Sequence, residues 1–249
     1  MKTTATYSLS RHRFPARKRS RNHNLEQQAQ AHFKSWKNKA LSKGYYTCKL
    51  KDIADFWGGY SYKSSELSPS KIAMATIKNF DRNGGFKLDG LKDIKPSNKL
   101  KQEQEVSLFD VLVAHTDLTQ NAEVIGNAEM LLYKGTANKI IFSMDLVKVT
   151  PNEQFPYKYL LAAYLRDPIF KKHCLGYVNG TTVLHMSKKA LPEYELILPT
   201  DKDELPLMNE LMRYIYHKMS HIIAENNQLE QLRDSLLPYL MSGRTIAVI

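Results

Sequence analysis

The chain has 249 residues, 43% of them hydrophobic, 10% aromatic and 24% charged, the profile of a folded globular protein with room for a sizeable core. No apolar run approaches the roughly 20 residues of a membrane-spanning helix, and the two cysteines, Cys48 and Cys174, argue against a disulfide framework or a thiolate zinc site and fit a reducing compartment, by default the cytoplasm. Thirty-six Lys and Arg against 25 acids give a formal charge of +11, an excess that points to a polyanionic partner, most often nucleic acid.

The excess is uneven. Seven of the 36 cations (Lys2, Arg11, Arg13, Arg17, Lys18, Arg19 and Arg21) fall in the first 22 residues without one acid, which leaves 29 bases against 25 acids for the rest. Residues 1–21 are read as a disordered basic tail, either an idle solvated arm or one that lies along phosphates. No apolar stretch follows it, so it is not a secretory signal, although its Arg-rich, acid-free composition superficially resembles an organelle transit peptide. In residues 22–48, Asn24-Leu25-Glu26-Gln27 has the form of an N-cap with Gln at N3. Leu25, Ala29, Phe33 and Trp36 then recur at helical spacing, which predicts a short amphipathic helix.

Residues 49–203 change character. Brief apolar runs are punctuated by turn signals at Gly58-Gly59, Ser68-Pro69, Asn83-Gly84-Gly85, Lys95-Pro96 and Asn179-Gly180. Strands are expected at 72–77, 111–114, 129–133 and 139–149. One helix is expected over 155–166, breaking at Asp167-Pro168, which reads as an N-cap followed by Pro at N1. The fold class is therefore α+β, a mixed, strand-rich domain followed by a long helix.

That helix is expected over 204–243, after an acidic start between Pro199 and Pro206, with 244–249 as a tail. Met208, Met212, Ile215, Met219, Ile222, Asn226, Leu229, Arg233 and Leu236 alternate in steps of four and three, and seven of these nine are apolar. A heptad seam over four heptads makes a rod of about 48 Å that needs a partner helix. Asn226 is either a buried amide that fixes register or an exposed residue where the coil splays, and Arg233 is a slip that Leu232 can cover. An echo between Asn24-Leu25-Glu26-Gln27-Gln28 and Gln228-Leu229-Glu230-Gln231-Leu232 suggests similar helices flanking the strand-rich domain as neighbours.

Catalytic motifs are missing. There is no Gly-rich phosphate loop with its Lys, and Asp167-Pro168-Ile169-Phe170 lacks the second proline of an amine-gripping methyltransferase loop. His217 and His221 are spaced i, i+4 but have no third ligand nearby, and Ser242-Gly243 is not a nucleophile elbow. No cofactor or metal is implied.

Leu50-Lys51-Asp52-Ile53-Ala54 and Gly59-Tyr60-Ser61-Tyr62-Lys63-Ser64-Ser65-Glu66 resemble the opening of a target recognition domain of a type I restriction-modification specificity subunit. In the same order, Ile72 to Asn79 resembles that family's first core strand, Phe109-Asp110-Val111-Leu112-Val113-Ala114 its "gDiLia" strand, Gly180-Thr181-Thr182 its Gly-Thr loop, and Leu196-Ile197-Leu198-Pro199 the strand before its long helix. Residues 229–243 resemble the C-terminal helix most specifically, and residues 24–36 the end of the central helix. The family's usual subunit carries two recognition domains and two such helices, so this chain resembles half a subunit.

The resemblance implies a non-catalytic DNA-binding protein that directs methyltransferase and restriction/translocase subunits to a bipartite double-stranded target in a bacterial or archaeal cytoplasm, and the unburied seam of a chain with one recognition domain predicts a homodimer, or else pairing with another half-subunit or a full-length specificity protein. The alternatives are an enzyme with a degenerate methyltransferase loop, a coiled-coil scaffold, and a recombination-donor remnant without DNA affinity of its own. On the DNA-binding reading, Lys63, Ser64, Lys78, Asn79, Arg82 and Asn83 in the early loops and Tyr177, Asn179, Thr181 and Thr182 in a later loop are the candidate contacts. Tyr60 and Tyr62 are either half-buried strand residues or stacking groups. Dimerisation is assigned to Met208, Met212, Ile215, Met219, Ile222, Asn226, Leu229 and Leu236.

Overall fold

The computed structural model describes residues 14–82, 84–119 and 121–241, with side chains from Asn24 onward. Residues 1–13 of the basic tail, the candidate contact Asn83 and the tail 244–249 lie outside the described residues.

Helix α1 (Phe14–Leu41) is longer than expected and takes in residues 14–21, which the sequence pattern assigns to a disordered tail. The reason is local. Pro15 stands in the first turn, where its missing N–H costs nothing, and no Gly or Pro follows before Leu41. The chain then turns at Gly44, whose φ of +122° favours glycine, into strand β1 (Tyr45–Lys49). β1 pairs antiparallel with the last strand, β13 (Glu195–Pro199), which leads into the long helix α5 (Glu204–Met241). That pairing sets Tyr45 opposite Pro199 and brings the end of α1 beside the start of α5. There Glu204 accepts hydrogen bonds from Trp36 Nε1 at 3.2 Å and Lys43 Nζ at 2.9 Å. The two helices flanking the domain are thus packed neighbours of opposite direction.

Between them lie a short helix α2 (Leu50–Ile53), strands β2 (Ala54–Gly58), β3 (Ile72–Ala75), β4 (Lys92–Asp93), β5 (Glu105–Val106), β6 (Val111–Ala114), β7 (Thr116–Asp117), β8 (Ala128–Met130), β9 (Lys139–Phe142) and β10 (Leu146–Pro151), helices α3 (Lys158–Leu165) and α4 (Pro168–Leu175), and strands β11 (Val178–Asn179) and β12 (Leu184–Met186). One antiparallel sheet has the order β2-β10-β6-β8. A second has the order β4-β3-β9-β5, with β3 and β9 parallel. The third, β11-β12-β7, is small.

Strand alternation builds the layers. In β6, Val111 and Val113 join the core formed with α1, α3 and α5, while Leu112 and Ala114 join a second core with Ala73 and Ala75 of β3 and Ile140 and Phe142 of β9. Met74 and Ile141, on the far faces of β3 and β9, close a third cluster with Tyr60 and Ile94. All four residues of β6 are buried because both faces are covered. The run expected as one strand over 139–149 is two, β9 and β10. They belong to different sheets, and the break falls at 143–145, where Ser143 and Asp145 are hydrogen-bonded and Met144 faces solvent. Asp167 does cap α4, its carboxylate accepting from Ile169 N at 3.0 Å ahead of Pro168. Among the described residues no helix is long and apolar enough to cross a membrane.

Helix α5 divides the predicted seam. Met208, Met212, Ile215 and Met219 are buried in this chain's own core with Ala29, Phe33 and Tyr216, so they are core residues and not free for a partner. Ile222 and Asn226 are half-buried, Leu229 is 49% exposed and Leu236 37%. A strict heptad drifts about 20° per repeat on a straight helix, or about 80° over four repeats. The seam therefore starts on the face that covers the domain and ends on the face that leaves it.

Candidate nucleic-acid interface

The early loop folds back on itself between Phe80 and Phe86, which form an isolated bridge with their rings edge to face at 6.1 Å. Gly84 and Gly85, at φ +88° and +102°, make the turn, and Asp81 N donates to Gly85 O at 3.0 Å. Its base is held by Asn79. The Asn79 carboxamide oxygen accepts from Thr76 N at 2.8 Å, its Nδ2 donates to Lys87 O at 2.6 Å, and the residue is fully buried. Asn79 is therefore a structural brace, which corrects its assignment as a base contact. Sequence alone reads an Asn in a loop as surface, because both of its partners are backbone groups.

Lys78 and Arg82 project into solvent from the same loop. Arg82 Nε lies 2.8 Å from Glu123 Oε2, an ion pair that at an exposed site holds by less than about 1 kcal/mol. Glu123 lies in the connection between β7 and β8. That connection is also tied to the early loop by Asn127 Nδ2, which donates to Asp81 O at 3.3 Å. At its other end, Asp117 folds it by accepting from Thr119 N and Val124 N, both at 2.8 Å, while β7 pairs with β12 in the late hairpin. The structure thus places the early and late loops on either side of one connection.

The late loop runs between β11 and β12. Gly180 has φ +116°, and a Cβ there would sit 2.3 Å from Val183 O, so this position admits only glycine. Asn179, Thr181 and Thr182 are exposed at its tip. Tyr177 is half-buried, its ring 4.9 Å from the His173 imidazole, and serves packing more than reach. Lys63 and Ser64 are also exposed but lie elsewhere, at the short turn Ser64–Glu66 over the third hydrophobic cluster. There the Tyr60 hydroxyl donates to Glu66 Oε1 at 2.6 Å and accepts from Ser97 N at 3.0 Å. Tyr60 is buried, Tyr62 half-buried, and both pack into that cluster as strand-like residues rather than as free stacking platforms.

Behind the early loop lies a buried ionic cluster that sequence reasoning missed. Glu129 of β8 is buried and accepts from Gly85 N at 2.6 Å. Arg166, at the end of α3, lies 3.5 Å from Glu129 and also pairs with Glu26 of α1 and bonds the Tyr216 hydroxyl of α5. Burial pushes the Glu129 carboxyl up to about 7, against the lowering effect of the Gly85 N–H, and Asp81 raises it further. The one signal in the sequence is a lone acid heading the apolar run 129–133. Among the described residues no group of His, Cys, Asp and Glu could hold a metal ion. Burial also pushes the Cys48 thiol up to about 11 and the Cys174 thiol to about 12, which keeps both protonated and unreactive.

No family model and no curated protein matches the sequence. Among solved structures, the chain is similar to the crystal structure of the type I restriction-modification system S subunit from M. genitalium, at 15% identity and a TM-score of 0.54, over 89% of this chain and 54% of that one. The HsdS subunit from Thermoanaerobacter tengcongensis aligns at 13% identity and a TM-score of 0.45, over 90% of this chain and 52% of that one. The chain spans about half the length of these structures. Its mixed α+β body with a long C-terminal helix is therefore the fold of a type I restriction-modification S subunit, built once over roughly half of that subunit's length.

Proposed function

We propose that this chain is a non-catalytic specificity subunit with one target recognition domain, which binds a DNA sequence through its loops and directs methyltransferase and restriction subunits to it. The observation that carries the reading is the S-subunit fold over 89% of the chain at about half the length of its counterpart. The site's chemistry fits. Lys63, Lys78 and Arg82 offer cationic donors, and Ser64, Asn179, Thr181 and Thr182 offer neutral donors and acceptors on exposed loops, the residue types that read base edges and phosphates. The domain division follows the same reading: a basic N-terminal segment, a recognition domain over 49–203 and a spacer helix from 204.

A half-length subunit needs a second recognition domain to address a bipartite target, and we infer that a second copy supplies it. Helix α5 supports this. Beyond Asn227 it has outrun the domain, and Leu229, Leu232, Leu236, Leu237 and Leu240 remain exposed on a rod of about 57 Å. Two copies paired antiparallel there would bury those leucines and carry the domains to opposite ends, so the target would be a split palindrome. Selection of bound fragments from a random duplex pool by the purified chain tests the reading. An enriched motif is expected, and binding without any enriched motif would overturn it.

A further inference from the structure

Asp81, Gly84 and Gly85 stand over a cleft of about 720 Å³ whose opposite wall is α5 at Met219, Ile223 and Asn227 and whose floor holds Glu129 and Arg166. Two consecutive glycines at positive φ leave the Gly84-Gly85 end of the turn without side chains to pack, so that end is aimed through its backbone. Within the turn, the Asp81 to Gly85 bond closes the hairpin but does not orient it against the rest of the molecule. The bond from Gly85 N to Glu129 Oε1, 44 residues away in sequence, does so at the glycine end, while Asn127 Nδ2 and Glu123 hold the Asp81-Arg82 end. From Glu129 the connection continues through Arg166 to Glu26 on α1 and Tyr216 on α5, so one chain of polar contacts joins the loop that carries Arg82 to both long helices.

The burial of Glu129 is hard to explain as a stabilising device. A buried acid beside Arg166 costs desolvation that a leucine at the same place would not, and the neighbouring positions of the strand, Ala128 and Met130, are apolar. What the carboxylate supplies, and a leucine could not, is a counter-charge for Arg166 through one oxygen and, through the other, an acceptor aimed at one backbone N–H of the turn.

We propose that Glu129 is a positioning residue which fixes the angle of the 81–85 turn, and with it Arg82, relative to the α1 and α5 helices, so that base selection at the position facing Arg82 depends on it. This rests on the DNA-reading role proposed above. Glu129 itself touches no DNA. Its effect is on discrimination between sequences rather than on attraction to the phosphate backbone.

The test compares the full-length chain with Glu129→Leu and Glu129→Gln, using the duplex enriched by selection and an unrelated duplex of equal length. Glu129→Leu should lower the ratio of specific to non-specific affinity about tenfold, the loss of one hydrogen bond to a charged acceptor, with the salt dependence on the unrelated duplex unchanged. Glu129→Gln, which still accepts from Gly85, should keep the ratio within about twofold. Undiminished discrimination in a folded Leu variant, or equal losses in both variants, would overturn the proposal. Should the Leu variant fail to fold, amide hydrogen exchange at Gly85 in the unaltered chain decides: strong protection supports the anchor, and exchange at the rate of a free turn overturns it. A chain that shows no sequence preference would refute the DNA-reading role, while Gly85 exchange would still report on the anchor separately.

Discussion

The Phe109 ring stacks on the His217 imidazole with centroids 4.2 Å apart, and it does so from a left-handed backbone at φ 70°, a conformation that bulky residues rarely adopt. Tyr159 completes the group, its hydroxyl 2.9 Å from His217 Nε2 and its ring 5.7 Å from Phe109. The turn into the central strand β6 is thereby held on α5, at a cost of about 1–3 kcal/mol in backbone strain. A double-mutant cycle of Phe109→Ala and His217→Ala, read by denaturant unfolding, should show a coupling of about 0.5–1.5 kcal/mol. Additive single effects would mean that the strain is offset elsewhere.

The pH dependence of stability should carry the mark of Glu129. Its carboxyl titrates at about 7 in the folded chain and near the ordinary 4.5 when unfolded, so the folded state holds an extra proton between those values. The group's contribution to stability is therefore greatest below pH 4.5 and declines as the pH rises to about 7. Asp81, Lys87 and Asp89 beside the turn, Tyr133 after β8, Glu26 on α1, Arg166 after α3 and Tyr216 on α5 are the charged or titratable groups around it. Glu129→Gln should flatten this decline and leave a chain that is more stable than the unaltered one in mildly alkaline buffer, by urea unfolding at several pH values. An identical pH profile for both chains would show that the carboxyl titrates alike in the folded and unfolded chain.

The two halves of α5 should respond oppositely to substitution. Met212→Ala, inside the core, should cost about 2–5 kcal/mol whatever the protein concentration. Charges at Ile215 or Met219 should unfold the chain rather than separate a dimer, since both are buried within it. Leu232→Glu with Leu236→Glu should leave the fold intact and abolish self-association, as seen by sedimentation. A Leu232/Leu236 double variant that still dimerises would move the interface elsewhere.

These halves show where sequence reasoning holds and where it stops. The brief apolar run at Val111–Ala114, the Asp167 cap and the long helix were legible because each is dictated by neighbours in sequence. The split of 139–149 into β9 and β10 was not, since both pieces are apolar and only their sheets differ. Nor was the fate of the seam. A heptad pattern records that a face is buried, and here its first half is covered by α1 and α3 of the same chain. Of the candidate contacts, Lys63, Ser64, Lys78, Arg82, Asn179, Thr181 and Thr182 are exposed as expected, whereas Asn79 is a brace whose backbone partners leave no sequence signature.

The basic N-terminal segment makes a separable prediction. Replacing Arg11, Arg13, Arg17, Lys18, Arg19 and Arg21 with Gln should flatten the dependence of log K on log salt by about 0.9 for each phosphate that the segment no longer neutralises, without changing the preferred sequence. Arg82→Ala should instead relax preference at a single base pair by about 1–3 kcal/mol. Uniform weakening across sequences would reassign Arg82 to the backbone, and an unchanged slope would show the N-terminal cations to be idle.

The most direct measurement is the methylated sequence itself, mapped across the genome of cells that express this chain with a type I methyltransferase subunit. A specificity subunit that reads as two identical copies predicts a methylated split palindrome, its half-sites separated by a non-specific spacer whose length changes when a heptad is added to or removed from α5. Methylation that is absent, or that falls on a motif with unrelated halves, would contradict a self-paired specificity subunit.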